Sequence, residues 1–130
     1  MHPEYFELLF RTEESIPEWP RAFAILSGYA TTGEVWSPER NAAADRALWE
    51  DVRATGAWYC RITGFSPVTG HAEPGWAVEM PWETACDLGF RYLQDAIFFV
   101  DGDALSVTHC APGKRACVPV GAFRERLVDS

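Results

Sequence analysis

His71 and Glu73 stand two residues apart in the segment SPVTGHAEPGW. An imidazole and a carboxylate at that spacing can trade a proton with a bound substrate, provided the substrate comes within hydrogen-bond reach. A loop histidine beside a solvated glutamate is the plain alternative. A second polar pair, Gln94–Asp95, interrupts RYLQDAIFFV where a helix should end and an apolar strand begin, with no glycine or proline to turn the chain. An amide and a carboxylate there either line the rim of a site or satisfy the last helix carbonyls and the N–H groups of the turn.

Other constellations carry less. His109, Cys110 and Cys117 are zinc-ligand types, with His71 or Cys60 as a fourth, but Cys-x6-Cys is not a knuckle spacing and no second pair accompanies it. Cys110 beside His109 makes a poor nucleophile–base pair, because strand neighbours face opposite sides. GYATTGE is a glycine-bearing turn before a helix, where an anion can sit, yet Glu34 and Glu39 oppose one. The chain has no GxGxxG, P-loop, HExxH or paired CxxC. No metal and no cofactor are expected.

These side chains must be positioned by the elements around them. Ala22 to Leu26 is a continuous apolar run of strand length, stopping at Ser27–Gly28. SPERNAAADRALWEDVRATG reads as a helix, with Ser37 as cap, Pro38 in the first turn, Ala44, Ala47, Leu48 and Val52 as its stripe, and Gly56 as its stop. AWYCRITGF and WAVEM alternate as strands around the loop SPVTGHAEPG. WETACDLGFRYLQ reads as a helix whose stripe is Ala85, Leu88, Gly89, Tyr92 and Leu93. AIFFV and ALSVTH are strands joined by DGD. The start, MHPEYFELLFRT, reads as a short helix or an added strand, and the end as mostly irregular with a short final helix.

The order is β-α-β-β-α-β plus a strand. It predicts an α+β fold: an antiparallel sheet of about five strands with two helices on one face, ferredoxin-like. One domain spans residues 1–130, with 1–20 as an N-terminal extension and 111–130 as a C-terminal tail. Followed through that topology, one edge collects Ser27, Tyr29, Asn41, His71, Glu73, Gln94 and Asp95, with Thr31, Thr32 and Ser66 beside them. Those seven are the candidate ligand-binding residues.

Composition narrows the partners. The chain has 130 residues, 48% hydrophobic and 23% charged, an ordinary globular balance for one domain. Its net charge of −8 repels phosphate backbones and anionic membrane surfaces, so no nucleic acid and no membrane partner is expected. No run approaches the roughly 20 apolar residues of a membrane span. MHPEYFELLF lacks the basic, apolar and small-residue regions of a secretion signal. A cytoplasmic protein is expected, with Cys60, Cys86, Cys110 and Cys117 as free thiols.

FAILSGYATTGEVWSPERN and EPGWAVEMPWETACDLGFRYLQDAIFF resemble an uncharacterised bacterial family, domain of unknown function 3293, over about Phe23 to Cys110. Ser37 and Asn41 match its Ser-x-x-x-Asn helix start, Glu73–Pro74 its Glu-bearing segment, and Gln94 with Ala96, Ile97 and Phe98 its Gln-Asn-Ala-Ile-Phe element. The family's Thr-Ala-x-Asn-Pro-like turn is here Ser27-Gly28-Tyr29-Ala30-Thr31, and Asp95 stands where Asn is usual. The resemblance implies a shared fold and a shared polar edge, and no reaction.

Two functional classes remain open. One is a small acidic binding protein that docks on a protein partner, of regulator, inhibitor or immunity type. The other is a small-molecule enzyme or sensor using His71, Glu73, Gln94 and Asp95. Oligomeric state is not specified by the sequence.

Overall fold

The computed structural model describes residues 1–128. After a 3-10 turn at Pro3–Phe6 come β1 (Leu9–Thr12), β2 (Ala22–Leu26), α1 (Pro38–Ala54), β3 (Tyr59–Phe65), β4 (Ala72–Val78) and α2 (Trp82–Arg91). β5 (Ala96–Asp101), β6 (Ala104–His109), β7 (Val118–Ala122) and α3 (Phe123–Arg126) complete the chain. Among the described residues, no helix is long and apolar enough to cross a membrane.

The five-stranded ferredoxin-like sheet with two helices does not form. The strands make one seven-stranded antiparallel sheet, ordered β1-β3-β4-β2-β5-β6-β7 and curled into a half-barrel, with three helices. The two extra strands come from the segments read as extension and tail. Leu9–Thr12 pairs with Phe65–Ile62 of β3, and Val118–Ala122 pairs with β6 across a bulge at Leu105/Ser106. Pattern alone leaves the β1 segment open between a short helix and an added strand, and misses β7, for a physical reason. β1 has only four residues, and VPVGA carries Pro119 and Gly121, which an edge strand tolerates because one side of its backbone needs no partner.

Seven strands, each twisted against the next, curl the sheet until its edges approach. Phe10 of β1 forms a parallel bridge with Leu127, and the Val128 N–H donates to the Phe10 carbonyl at 2.8 Å. The Arg126 guanidinium spans this seam, donating to the Leu8 carbonyl at 3.1 Å and to the Val120 carbonyl at 2.6 Å.

The sheet is therefore covered on both faces, and the central strands carry two cores at once. Phe23 and Ile25 of β2 point to the concave side, with Tyr5, Phe10, Ile62, Phe98 and Phe123. Ala24 and Leu26 point to the convex side, where Leu48 and Val52 of α1 and Ala85 and Cys86 of α2 close over them. This two-sided burial explains the unbroken apolar runs of β2 and β5. A rim of aromatic edges (Trp19 stacked on Phe23, and Phe10 edge-on to Phe98) fills the concave core.

Local signals held at α1. Ser37 accepts the Arg40 N–H at 3.1 Å, Pro38 follows it, and Gly56 takes φ 71° past the end. Ala47, expected in the buried stripe, is exposed instead, and Leu48 and Val52 carry the contact. β4 begins four residues before Trp76, at Ala72. Glu73, Pro74 and Gly75 look like turn residues, yet they pair with Gly64, Thr63 and Ile62 of β3. β2 pairs with β4 only at Trp76–Val78, so Pro74 sits where the other flank is free of a strand.

Candidate functional site

The first turn after β2 is held from all sides. The Ser27 hydroxyl donates to the Pro74 carbonyl at 2.8 Å and accepts the Tyr29 N–H at 3.0 Å. The Ala30 N–H donates to Asn41 Oδ1 at 2.8 Å, which ties the turn to α1. The Gln94 amide donates to the Tyr29 carbonyl at 2.7 Å, and Thr31 Oγ1 accepts the Asp95 N–H at 2.9 Å. Gly28 permits the close approach: a Cβ there would lie 2.8 Å from the Ala44 carbonyl oxygen.

The opposite side of the hub is the end of α2. Leu93 takes φ 61°, the left-handed conformation usually given to glycine. The Gln94 N–H then reaches the Gly89 carbonyl at 2.9 Å, and the Leu93 N–H the Phe90 carbonyl at 3.1 Å, a Schellman closure. The chain thus turns without glycine. Leu93 lies outside the helix and is 60% exposed, so its expected place in the buried stripe is corrected.

The residues expected on one edge divide among three settings. Ser27, Glu73 and Gln94 line a cavity of about 40 Å³ on the concave face, with Tyr5, Phe10, Ile62 and Phe98. His71 stands at its rim, Nε2 3.3 Å from Glu73 Oε1. Tyr29 lies in the turn after β2, and Asn41 holds that turn from α1. Asp95 faces the other way: its carboxylate lies 3.5 Å from His109 Nδ1 and borders an outer groove with Trp36, Arg40, Phe90 and Leu93.

Glu73 is the carboxylate that lines the cavity. Its side chain is 15% exposed. Burial pushes its carboxyl above the ordinary carboxylate value, and the nearby Glu4 charge pushes the same way, against the lowering effect of His71. Burial likewise raises the Tyr5 phenol, whose hydroxyl lies 3.5 Å from Thr31 Oγ1. Tyr5 and Glu4 lie in the 3-10 turn at the N-terminus, in the extension that pattern alone reads as a short helix or an added strand. The one signal there is the crowding of Tyr5, Phe6, Leu8, Leu9 and Phe10, too apolar for a free arm.

The model of a family described as protein of unknown function (DUF3293) matches residues 30–97, just over half of the chain. The chain belongs to this family. The DUF3293 segment runs from Ala30 in the turn to Ile97 in β5, so it holds Asn41, His71, Glu73, Gln94 and Asp95, while Tyr5 and Ser27 lie before it. No curated protein and no solved structure matches this DUF3293 chain.

The thiols are separate from all of this. Cys60, Cys86, Cys110 and Cys117 are free, and among the described residues no three His, Cys, Asp or Glu side chains gather as metal ligands would. Burial pushes both Cys60 and Cys110 up to about 12, which keeps them protonated and inert.

Proposed function

We propose that this DUF3293 protein is a binding module that docks a basic protein segment through the groove beside the α2 terminus. The supporting observation is Leu93. A leucine held at φ 61° is strained by roughly 1–2 kcal/mol, and at 60% exposure it gains little burial in return. Glycine would relieve the strain, so the side chain has a use outside the monomer. Phe90, 51% exposed, flanks it, and Trp36 carries Arg40 at 3.7 Å over its ring on the facing wall. Trp36 and Phe90 are residue types enriched at protein interfaces.

Charge favours a basic occupant. The chain carries −8 overall, and Glu34 and Asp95 border the groove against one cation, Arg40, whose guanidinium lies over Trp36. A segment with an apolar anchor flanked by Lys or Arg satisfies both features. The shallow groove, rather than a deep pocket, suits a protein surface. A cytoplasmic setting accompanies this reading, supported by the four free cysteines.

The test is photo-cross-linking from position 90, with position 47 as an exposed control on α1. One partner linked from 90 and absent from 47, through a segment rich in Lys or Arg, is the expected result. Leu93→Gly should raise stability and weaken that link. An acidic linked segment, equal labelling from both positions, or a link indifferent to Leu93→Gly overturns the proposal.

A further inference from the structure

The cavity on the concave face asks for a ligand of a particular kind, and hydrogen-bond accounting shows which. Both hydrogens of the Gln94 amide go to carbonyls, Tyr29 at 2.7 Å and Tyr92 at 3.3 Å. Because both partners are acceptors, the orientation of the amide follows, and its oxygen is left over with no donor among the described residues. Gln94 is only 6% exposed, yet its oxygen keeps some contact with solvent and so lies open to a ligand. The Ser27 hydrogen is committed to the Pro74 carbonyl. Glu73 meets His71 with Oε1, which leaves its other oxygen. Close by, Glu4 Oε1 is buried with no partner among the described residues.

What Ser27, Glu73, Gln94 and Glu4 have to spare is therefore oxygen lone pairs. No lysine or arginine lines the cavity. The walls are otherwise largely apolar and aromatic, with Phe10, Phe98 and the ring of Tyr5, whose hydroxyl pairs with Thr31. A site with acceptors, negative charge and ring faces selects a donor-only cation. An ammonium carries three N–H donors and no acceptor. The space of about 40 Å³ holds a head group of a few heavy atoms, as one water needs roughly 10–15 Å³.

We propose that the mouth of the half-barrel binds the primary ammonium group of a small alkylamine, with Glu73 as counter-ion and the Gln94 amide oxygen as a second acceptor. Glu4, outside the lining, adds a longer-range negative charge. The apolar walls receive the first carbons of the amine. This site is distinct from the docking groove; Gln94 borders both.

Isotope-labelled full-length protein titrated with methylammonium chloride at constant ionic strength tests it. Saturable amide shifts are expected at Ser27, Glu73 and Gln94, and none with tetramethylammonium, which has the charge without the donors. Glu73→Gln keeps the shape and removes the charge; with a folded spectrum it should weaken methylammonium about tenfold or more. Glu4→Gln should weaken it less. The proposal falls if folded wild type shows no saturable shift. It falls equally if tetramethylammonium matches methylammonium, or if folded Glu73→Gln binds as well as wild type.

Discussion

The side-chain amide of Gln94 donates to the backbone carbonyl of Tyr29 at 2.7 Å, joining the end of α2 to the turn after β2. The pair joins residues 65 positions apart. Gln94 is thus part of the architecture, whereas the neighbouring Asp95 contributes its backbone to the hub, through its N–H to Thr31, and keeps its carboxylate outside. Gln94→Ala should cost about 1–3 kcal/mol, the penalty of leaving a buried carbonyl unpaired. Asp95→Ala should stay within about 1 kcal/mol of wild type. Urea denaturation of the two variants separates them; equal losses would contradict this division of labour.

Leu93→Gly should stabilise the fold. Relief of the left-handed strain is worth roughly 1–2 kcal/mol, and the greater freedom of glycine in the unfolded chain takes back about 0.4–1 kcal/mol. A net gain of about 0.5–1 kcal/mol is expected. A lowered midpoint would mean that the leucine packs in the monomer after all.

Glu73 ties stability to pH. Its carboxyl ionises at about 4.5 when exposed and higher when folded, with Glu4 and His71 facing it. Between those two values the unfolded chain has already released the proton and the folded chain has not, so stability is lost as pH rises through that window. Glu73→Gln removes the loss. Measured against wild type, the variant should gain stability as pH climbs above 4.5 and level off once folded Glu73 is ionised. A difference that stays flat from acid to neutral pH contradicts the burial argument.

Arg126 should be the fastener of the half-barrel seam. Arg126→Ala removes donors to the Leu8 and Val120 carbonyls, at about 1–3 kcal/mol for bonds from a charged group. Hydrogen exchange at the Val128 amide, bonded to Phe10 across the seam, should accelerate more than exchange in β4. A uniform change across the sheet would show that the seam opens only on global unfolding.

Alkylation of the native protein should rank the thiols. Cys117 is exposed and reacts first; Cys86 and Cys110, fully buried, react only as the fold opens. Cys60, half-buried with its thiol raised to about 12, follows Cys117 slowly. Mass spectrometry over time reads the order, and early labelling of Cys110 would contradict the packing of α2 on the sheet.

Much of this protein is local and was legible in residue order. Ser37–Pro38 set the start of α1, Gly56 its end, apolar runs marked β2 and β5, and the DGD turn marked β6, because capping, φ preference, turn chemistry and burial act within a few residues. The number of strands was decided elsewhere. β1 and β7 are too short or too broken by Pro119 and Gly121 to be strands alone, and they exist because β3 and β6 offer them unpaired edges. The turn at Leu93 followed the same logic. Its left-handed conformation comes from the Gly89 and Phe90 carbonyls closing the helix and from Gln94 reaching Tyr29, not from any preference of leucine. The residue types at Ser27, Glu73 and Gln94 were visible in sequence, but not the cavity they share with Tyr5. That meeting depends on the curl of seven strands bringing the N-terminal turn over the concave face, a long-range packing effect that no local pattern encodes.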